Sequence, residues 1–175
     1  VALKAHRAIL PALAAAALLA GCGSSPGTAA VIDGERMTEA EAQELTAELN
    51  AVFGQELTVA DTIAIYAQTG PILDAAESLG VSASEAQVED LLAQQAEANG
   101  YTPEDGQFLD DTVYVGRGQV VSQPVQQDPE ALAQVGEAIG EMQIDLNPRY
   151  GTVDSGGFIP PQPDWLVEPA QDQQE

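Results

Sequence analysis

Cys22 is the sole cysteine of the 175-residue chain, and it follows directly on Leu19-Ala20-Gly21. Its thiolate is the one good nucleophile for forming a thioether, the bond that attaches a diacylglyceryl group. Small residues at Ala20 and Gly21 suit a peptidase that must accept an extended backbone just before its cut. Upstream, Lys4, His6 and Arg7 make a short basic start, and Ile9 to Ala20 is an apolar run broken only by Pro11. That run is shorter than the roughly 20 residues of a permanent membrane-spanning helix. It fits the apolar part of a cleavable signal, roughly 7–15 residues behind a positive start.

Leu-Ala-Gly-Cys resembles the bacterial lipobox at all four positions. The resemblance implies that residues 1–21 are a lipoprotein signal peptide, with Leu19, Ala20 and Gly21 recognised by the signal peptidase. Cys22 then becomes the lipid-bearing first residue, and two or three acyl chains such as palmitate anchor it stably. The expected location is the outer face of the bacterial cytoplasmic membrane.

Other chemistry finds few residues. The single histidine is His6, inside the expected signal, so Ser-His-Asp, Cys-His and zinc sites are excluded from the remainder. Carboxylate pairs stand at Glu104-Asp105 and Asp110-Asp111, but solvated acids at a helix start explain them better than glycoside hydrolysis. Asp154-Ser155-Gly156-Gly157 is short of oxygen ligands for calcium. Gly116-Arg117-Gly118 lacks the rest of a phosphate-binding loop. The sequence thus points to no enzyme, no metal and no cofactor beyond the covalent lipid on Cys22. Arg149 reads first as a structural ion pair fixing the last strand, and second as a partner contact together with Tyr150.

Charge narrows the partners further. Beyond residue 21 the chain holds all 28 acids against Arg36, Arg117 and Arg149, a net charge near −25. Phosphate backbones need Lys and Arg, so nucleic acid is excluded as a partner. Anionic lipid offers no electrostatic hold either, which leaves the membrane contact to the lipid anchor.

The elements follow from caps and periodicity. Residues 22–29, rich in Gly and Ser, read as a flexible spacer. Ala30, Val31 and Ile32 ahead of Asp33-Gly34 read as a short strand or hairpin. Thr38 with Glu41 is a capping box, opening a helix with a Leu45, Leu49, Val52, Phe53 stripe; Glu39, Glu44 and Glu48 lie off it, and Gly54 ends it. Thr58 with Asp61 opens a second helix to Leu79, apolar on more than one face and so suited to the centre of a bundle. Gly70-Pro71 should kink it. Ser82 with Glu85 reads as a third box, with Val81 as its staple, ahead of a Val88, Leu91, Leu92, Ala96 stripe that Gly100 stops. Thr102-Pro103 reads as another helix start. Residues 107–127 fit either a hairpin, from Thr112-Val113-Tyr114-Val115 and Gln119-Val120-Val121, or a helix weakened by two glycines. Asp128-Pro129-Glu130 opens a helix with Leu132, Val135 and Ile139, and alternating Met142, Ile144 and Leu146 read as a strand. The chain then turns loop-rich. Trp165 and Leu166 are expected to dock on the domain, and residues 167–175 to form a disordered acidic tail.

These pieces together resemble a family. Val31-x-x-Gly34-x-x-Met37-Thr38 feeding a capped acidic helix, and Leu79-Gly80-Val81-Ser82-x-Ser84-Glu85-x-x-Val88 opening another, are its early marks. Asn147-Pro148-Arg149-Tyr150-Gly151, then Asp154 and Pro163-Asp164-Trp165-Leu166, are its late ones. They resemble actinobacterial lipoproteins with a SurA-type N-terminal domain, relatives of SurA, the PrsA foldases and trigger factor. The resemblance covers residues 30–166. It implies a mainly α fold, a bundle of about five helices closed by a small two-stranded β element in which Ala30–Ile32 lies beside Gln143–Leu146. It also favours helix for 107–127. The paired histidines of a parvulin domain are missing, so it implies binding of unfolded or exported polypeptides without isomerase activity. The alternative is an envelope scaffold docking one specific protein partner.

Overall fold

A computed structural model describes residues 26–154 and 157–159. The expected signal, Cys22 with Leu19, Ala20 and Gly21, Trp165, Leu166 and the tail lie outside the described residues.

The chain opens with a hairpin, β1 (Thr28–Ile32) and β2 (Glu35–Thr38). Its two-residue turn, Asp33-Gly34, has φ of 49° and 88°, the left-handed pair that matches strand twist in a tight hairpin. Thr28 and Ala29 are already buried in β1, so the strand takes two residues that the sequence assigned to the spacer. Late in the chain β3 (Ile144–Leu146) pairs antiparallel with β1, Ala30 opposite Leu146 and Ile32 opposite Ile144. The expected closure of the N- and C-terminal strands is therefore present, with β2 as a third strand in the order β2-β1-β3. Asp33 locks it: its N–H donates to the Gln143 carbonyl, and its Oδ1 accepts the Gln143 N–H at 2.8 Å.

Among the described residues five α-helices follow the hairpin, as the bundle reading expects. α1 (Glu39–Phe53) and α2 (Val59–Ser78) start on the boxes Thr38/Glu41 and Thr58/Asp61, each with both reciprocal hydrogen bonds formed. α3 (Glu85–Asn99) starts on Ser84 with Gln87 instead of Ser82 with Glu85. The reason lies upstream. The Val81 N–H is spent on the Ala76 carbonyl and the Gly80 N–H on Glu77, a Schellman closure of α2 that carries residues 81–83 away extended. Ala83, not Val81, then stands before the cap and packs in the same cluster as Val88. Gly54, Gly80 and Gly100 follow their helices with φ of 63°, 70° and 68°, as expected for Gly54 and Gly100.

The helix expected at Thr102-Pro103 is a single 3₁₀ turn, Glu104–Gly106, with Asp105 at φ 56°. Extension on either side lets Tyr101 and Phe108 both reach the Val52, Val88, Leu92 cluster. α4 (Asp110–Gln127) settles residues 107–127 as mainly helix. Its glycines are sites of close approach. A Cβ on Gly116 would stand 3.1 Å from Val88 Cγ1, and one on Gly118 3.0 Å from Thr69 Cγ2. Tertiary packing against α3 and α2 outweighs local β propensity there. α5 (Pro129–Glu141) starts on Asp128, whose Oδ1 accepts from Glu130 and Ala131 N–H groups.

α2 takes the central place, against α1, α4 and α5, and runs through Pro71 as one helix. α3 packs on α1 and α4. The main cluster joins Ala29, Ala30, Leu45, Leu49, Ile63, Val115 and Leu146. One acid breaks the expected pattern. Glu48, placed off the apolar stripe by sequence, is 7 % exposed, with its carboxylate accepting from Tyr101 Oη at 3.0 Å and the Leu109 N–H at 2.8 Å. A second hairpin, β4 (Thr152–Asp154) with β5 (Gly157–Ile159), stands where the sequence read loop. No described helix is long and apolar enough to cross a membrane.

Candidate functional site

A cavity of about 540 Å³ lies between the β1–β2 hairpin, α2, the start of α4 and the end of α5. On α2 the lining residues Tyr66, Ala67, Gly70, Pro71 and Asp74 recur at helical spacing, which puts them on one face. On α4, Asp111 and Tyr114 are three apart and face them. The tyrosine rings meet with centroids 5.0 Å apart at 52°, within the range of a favourable tilted aromatic pair. Gly70 makes the room, since a Cβ there would stand 3.2 Å from Tyr114 Oη.

Five carboxylates border this space, and two of them have structural work. Asp33 holds Gln143, and Glu41 caps α1. The hydrogen bond from the Thr38 N–H, then that from its hydroxyl, and finally nearby Arg36 hold the Glu41 carboxyl below its usual range. Glu35, Asp74 and Asp111 have no hydrogen bond or ion pair to their side chains among the described residues. Arg36 lines the cavity too, but its Nε donates to Thr28 Oγ1 at 2.7 Å. Burial, and then the charges of Glu41, Asp110 and Glu35, push the Asp111 carboxyl up. Desolvation and surrounding acids push Tyr66 up to about 12 and raise Tyr114 as well. The cavity is thus aromatic on two walls and strongly negative around them.

A second recess, about 580 Å³, shares Ala67 and Met142 with the first and continues past α5 to the second hairpin. Ile139, Met142, Ile144, Val153 and Phe158 give it apolar patches, mixed with polar Gln68 and Asp154. Ile139 is 38 % exposed and Leu132, on the same helix, 45 %. The stripe read for α5 is therefore partly open surface.

Arg149 and Tyr150, singled out by sequence, come together in the wall of a third cavity of about 330 Å³ with Val59, Ala60, Phe158 and Ile159. Arg149 Nη1 lies 3.4 Å from Glu39 Oε1, with the arginine side chain 68 % exposed. An exposed pair of this kind contributes little to stability. Asn147 does more for the last strand: its N–H donates to Ala29 O and its side-chain amide to Thr28 O. Tyr150 Oη is buried without a hydrogen-bond partner.

Glu104 and Asp105 are exposed on the 3₁₀ turn, and Asp110 is exposed where Asp111 is half-buried. Among the described residues no group of three or more His, Cys, Asp or Glu could hold a metal ion. The sequence reads Asp110-Asp111 as solvated acids at a helix start in preference to a hydrolytic pair, and gives no site role to Tyr66, Tyr114 or Asp74. The available signal was the 66-70-74 row on α2. No family model, curated protein or solved structure matches the chain.

Proposed function

We propose that this protein is a lipid-anchored extracytoplasmic module that binds unfolded or exported polypeptides and does no covalent chemistry on them. The observation that carries the reading is the recess along α2, where two cavities share Ala67 and Met142 and one is lined in part by Ile139, Ile144, Val153 and Phe158. An extended client segment lays apolar side chains against Ile139, Met142 and Phe158, a contact worth about 25 cal/mol for each Å² of apolar surface removed from water. The partly exposed apolar face of α5 supports the same reading. So does the closed helical bundle, which is the architecture implied by the resemblance to SurA-type domains. The strongly negative surface keeps the holder itself soluble while it carries an aggregating client.

The test is suppression of aggregation of a denatured exported protein by the full-length lipoprotein. The reading expects turbidity to fall as the module is added, and to fall less with Ile139→Glu. No effect at stoichiometric excess, or capture of one stoichiometric partner in place of many clients, overturns it.

A further inference from the structure

We infer that the aromatic cavity between the β1–β2 hairpin, α2 and α4 is a binding site for an organic cation. An alkylammonium or guanidinium group sits on the Tyr66–Tyr114 pair, with Asp111, Asp74 and Glu35 as its counter-charges. The inference rests on the polypeptide-binding reading only for the source of the cation, a Lys or Arg side chain of a bound chain or a free amine.

Three observations converge on this class of ligand. The first is an open-mouthed cavity of about 540 Å³, ample for a side-chain-sized group entering from solvent. The second is the tyrosine pair, whose hydroxyls have no hydrogen-bond partner among the described residues. Tyrosine faces attract cations through the ring quadrupole, more strongly when the contact is shielded from water. The third is the division of labour among the acids. Glu41 and Asp33 are engaged in capping and strand closure, while Glu35, Asp74 and Asp111 meet no cation within ion-pair distance. Arg36 is held to Thr28.

Geometry also decides against a bare metal ion. The carboxylates are not grouped closely enough for chelation, whereas a longer cation with several N–H donors can reach acids spread around a rim. Phosphate and carboxylate ligands are repelled by the same charges.

The experiment is calorimetric titration of the full-length protein in detergent with cadaverine, with a Gly-Gly-Lys-Gly-Gly peptide and with its norleucine counterpart. The inference expects saturable binding of at least one cation and none of the norleucine peptide. Asp111→Asn, Asp74→Asn and Tyr114→Leu should each weaken it by about threefold to tenfold, while Glu89→Gln on the exposed side of α3 leaves it unchanged. Asp74 is exposed and makes no hydrogen bond, so its variant stays informative even if Tyr114→Leu fails to fold. Binding of the lysine peptide alone makes the source a polypeptide, and binding of cadaverine alone makes it a free amine. No saturable cation binding, or equal weakening by Glu89→Gln, overturns the site. Suppression of aggregation measured on the same samples separates the two readings. If it persists without cation binding, the cation site is lost and the polypeptide reading stands; cation binding without suppression reverses that outcome.

Discussion

Glu48 and Asp111 are both carboxylates drawn in from water, and their surroundings give them opposite consequences. Glu48 is matched by two donors, Tyr101 Oη and the Leu109 N–H, and it ties α1 to the extended segment ahead of α4. Removing it leaves both donors without an acceptor, so Glu48→Ala should cost about 1–3 kcal/mol, read by urea denaturation. Asp111 has no such partner, and burial with acidic neighbours raises its pKa. A carboxyl whose folded pKa lies above its unfolded value leaves the native state binding more protons, so its contribution to stability falls as pH rises between the two values. Asp111→Asn should therefore stabilise the protein at neutral pH, and the gain should shrink as pH falls through the raised pKa. Glu41 and Asp61 work the other way. Their cap hydrogen bonds lower both pKa values, giving stability above the unfolded pKa that is lost as pH falls through the folded one. Neither carboxylate's burial was legible in sequence. Glu48 is an ordinary surface acid by spacing until the 101–109 segment, remote in the chain, arrives over it.

At the scale of elements, helix starts written in four adjacent residues were readable, and those needing distant partners were not. The boxes at Thr38 and Thr58 are local chemistry and formed as read. Two overlapping boxes, Ser82-x-x-Glu85 and Ser84-x-x-Gln87, compete for one helix, and the Schellman closure of α2 selects the later. Residues 110–127 could not be decided locally, because their β-branched side chains and glycines become helical only by packing on α2 and α3. This has a testable sign. Gly118→Val puts a side chain into Thr69 and should cost about 1–3 kcal/mol through overpacking. Gly136→Ala in α5, where a Cβ meets nothing within 4 Å, should instead gain roughly 0.5–1 kcal/mol. Thermal unfolding of both variants checks the pair. The β4–β5 hairpin escaped notice because Thr152–Asp154 and Gly157–Ile159 are too short to carry a period.

For the whole molecule, the mainly α class and the pairing of the first strand with the one after α5 were expected and are present. The recess was not legible, since it is made by residues from Ile32 to Phe158 that only the fold brings together. The proposed lipidation of Cys22 belongs to this scale too, because an acyl anchor there would hold the recess at a membrane face. Cys22→Ser should abolish acylation, seen as loss of radiolabelled palmitate, and either release the protein or leave its signal uncleaved. A variant still processed and membrane-bound would contradict the anchor. The central claim, that the recess along α2 holds polypeptide, is tested most directly by site-specific photo-crosslinking to an unfolded exported chain. A benzophenone side chain replaces Gln68, exposed at the cavity lined by Ile139 and Phe158, or Gln94, exposed on α3. The account predicts client adducts from position 68 and few from 94; equal labelling at both, or none at 68, contradicts it.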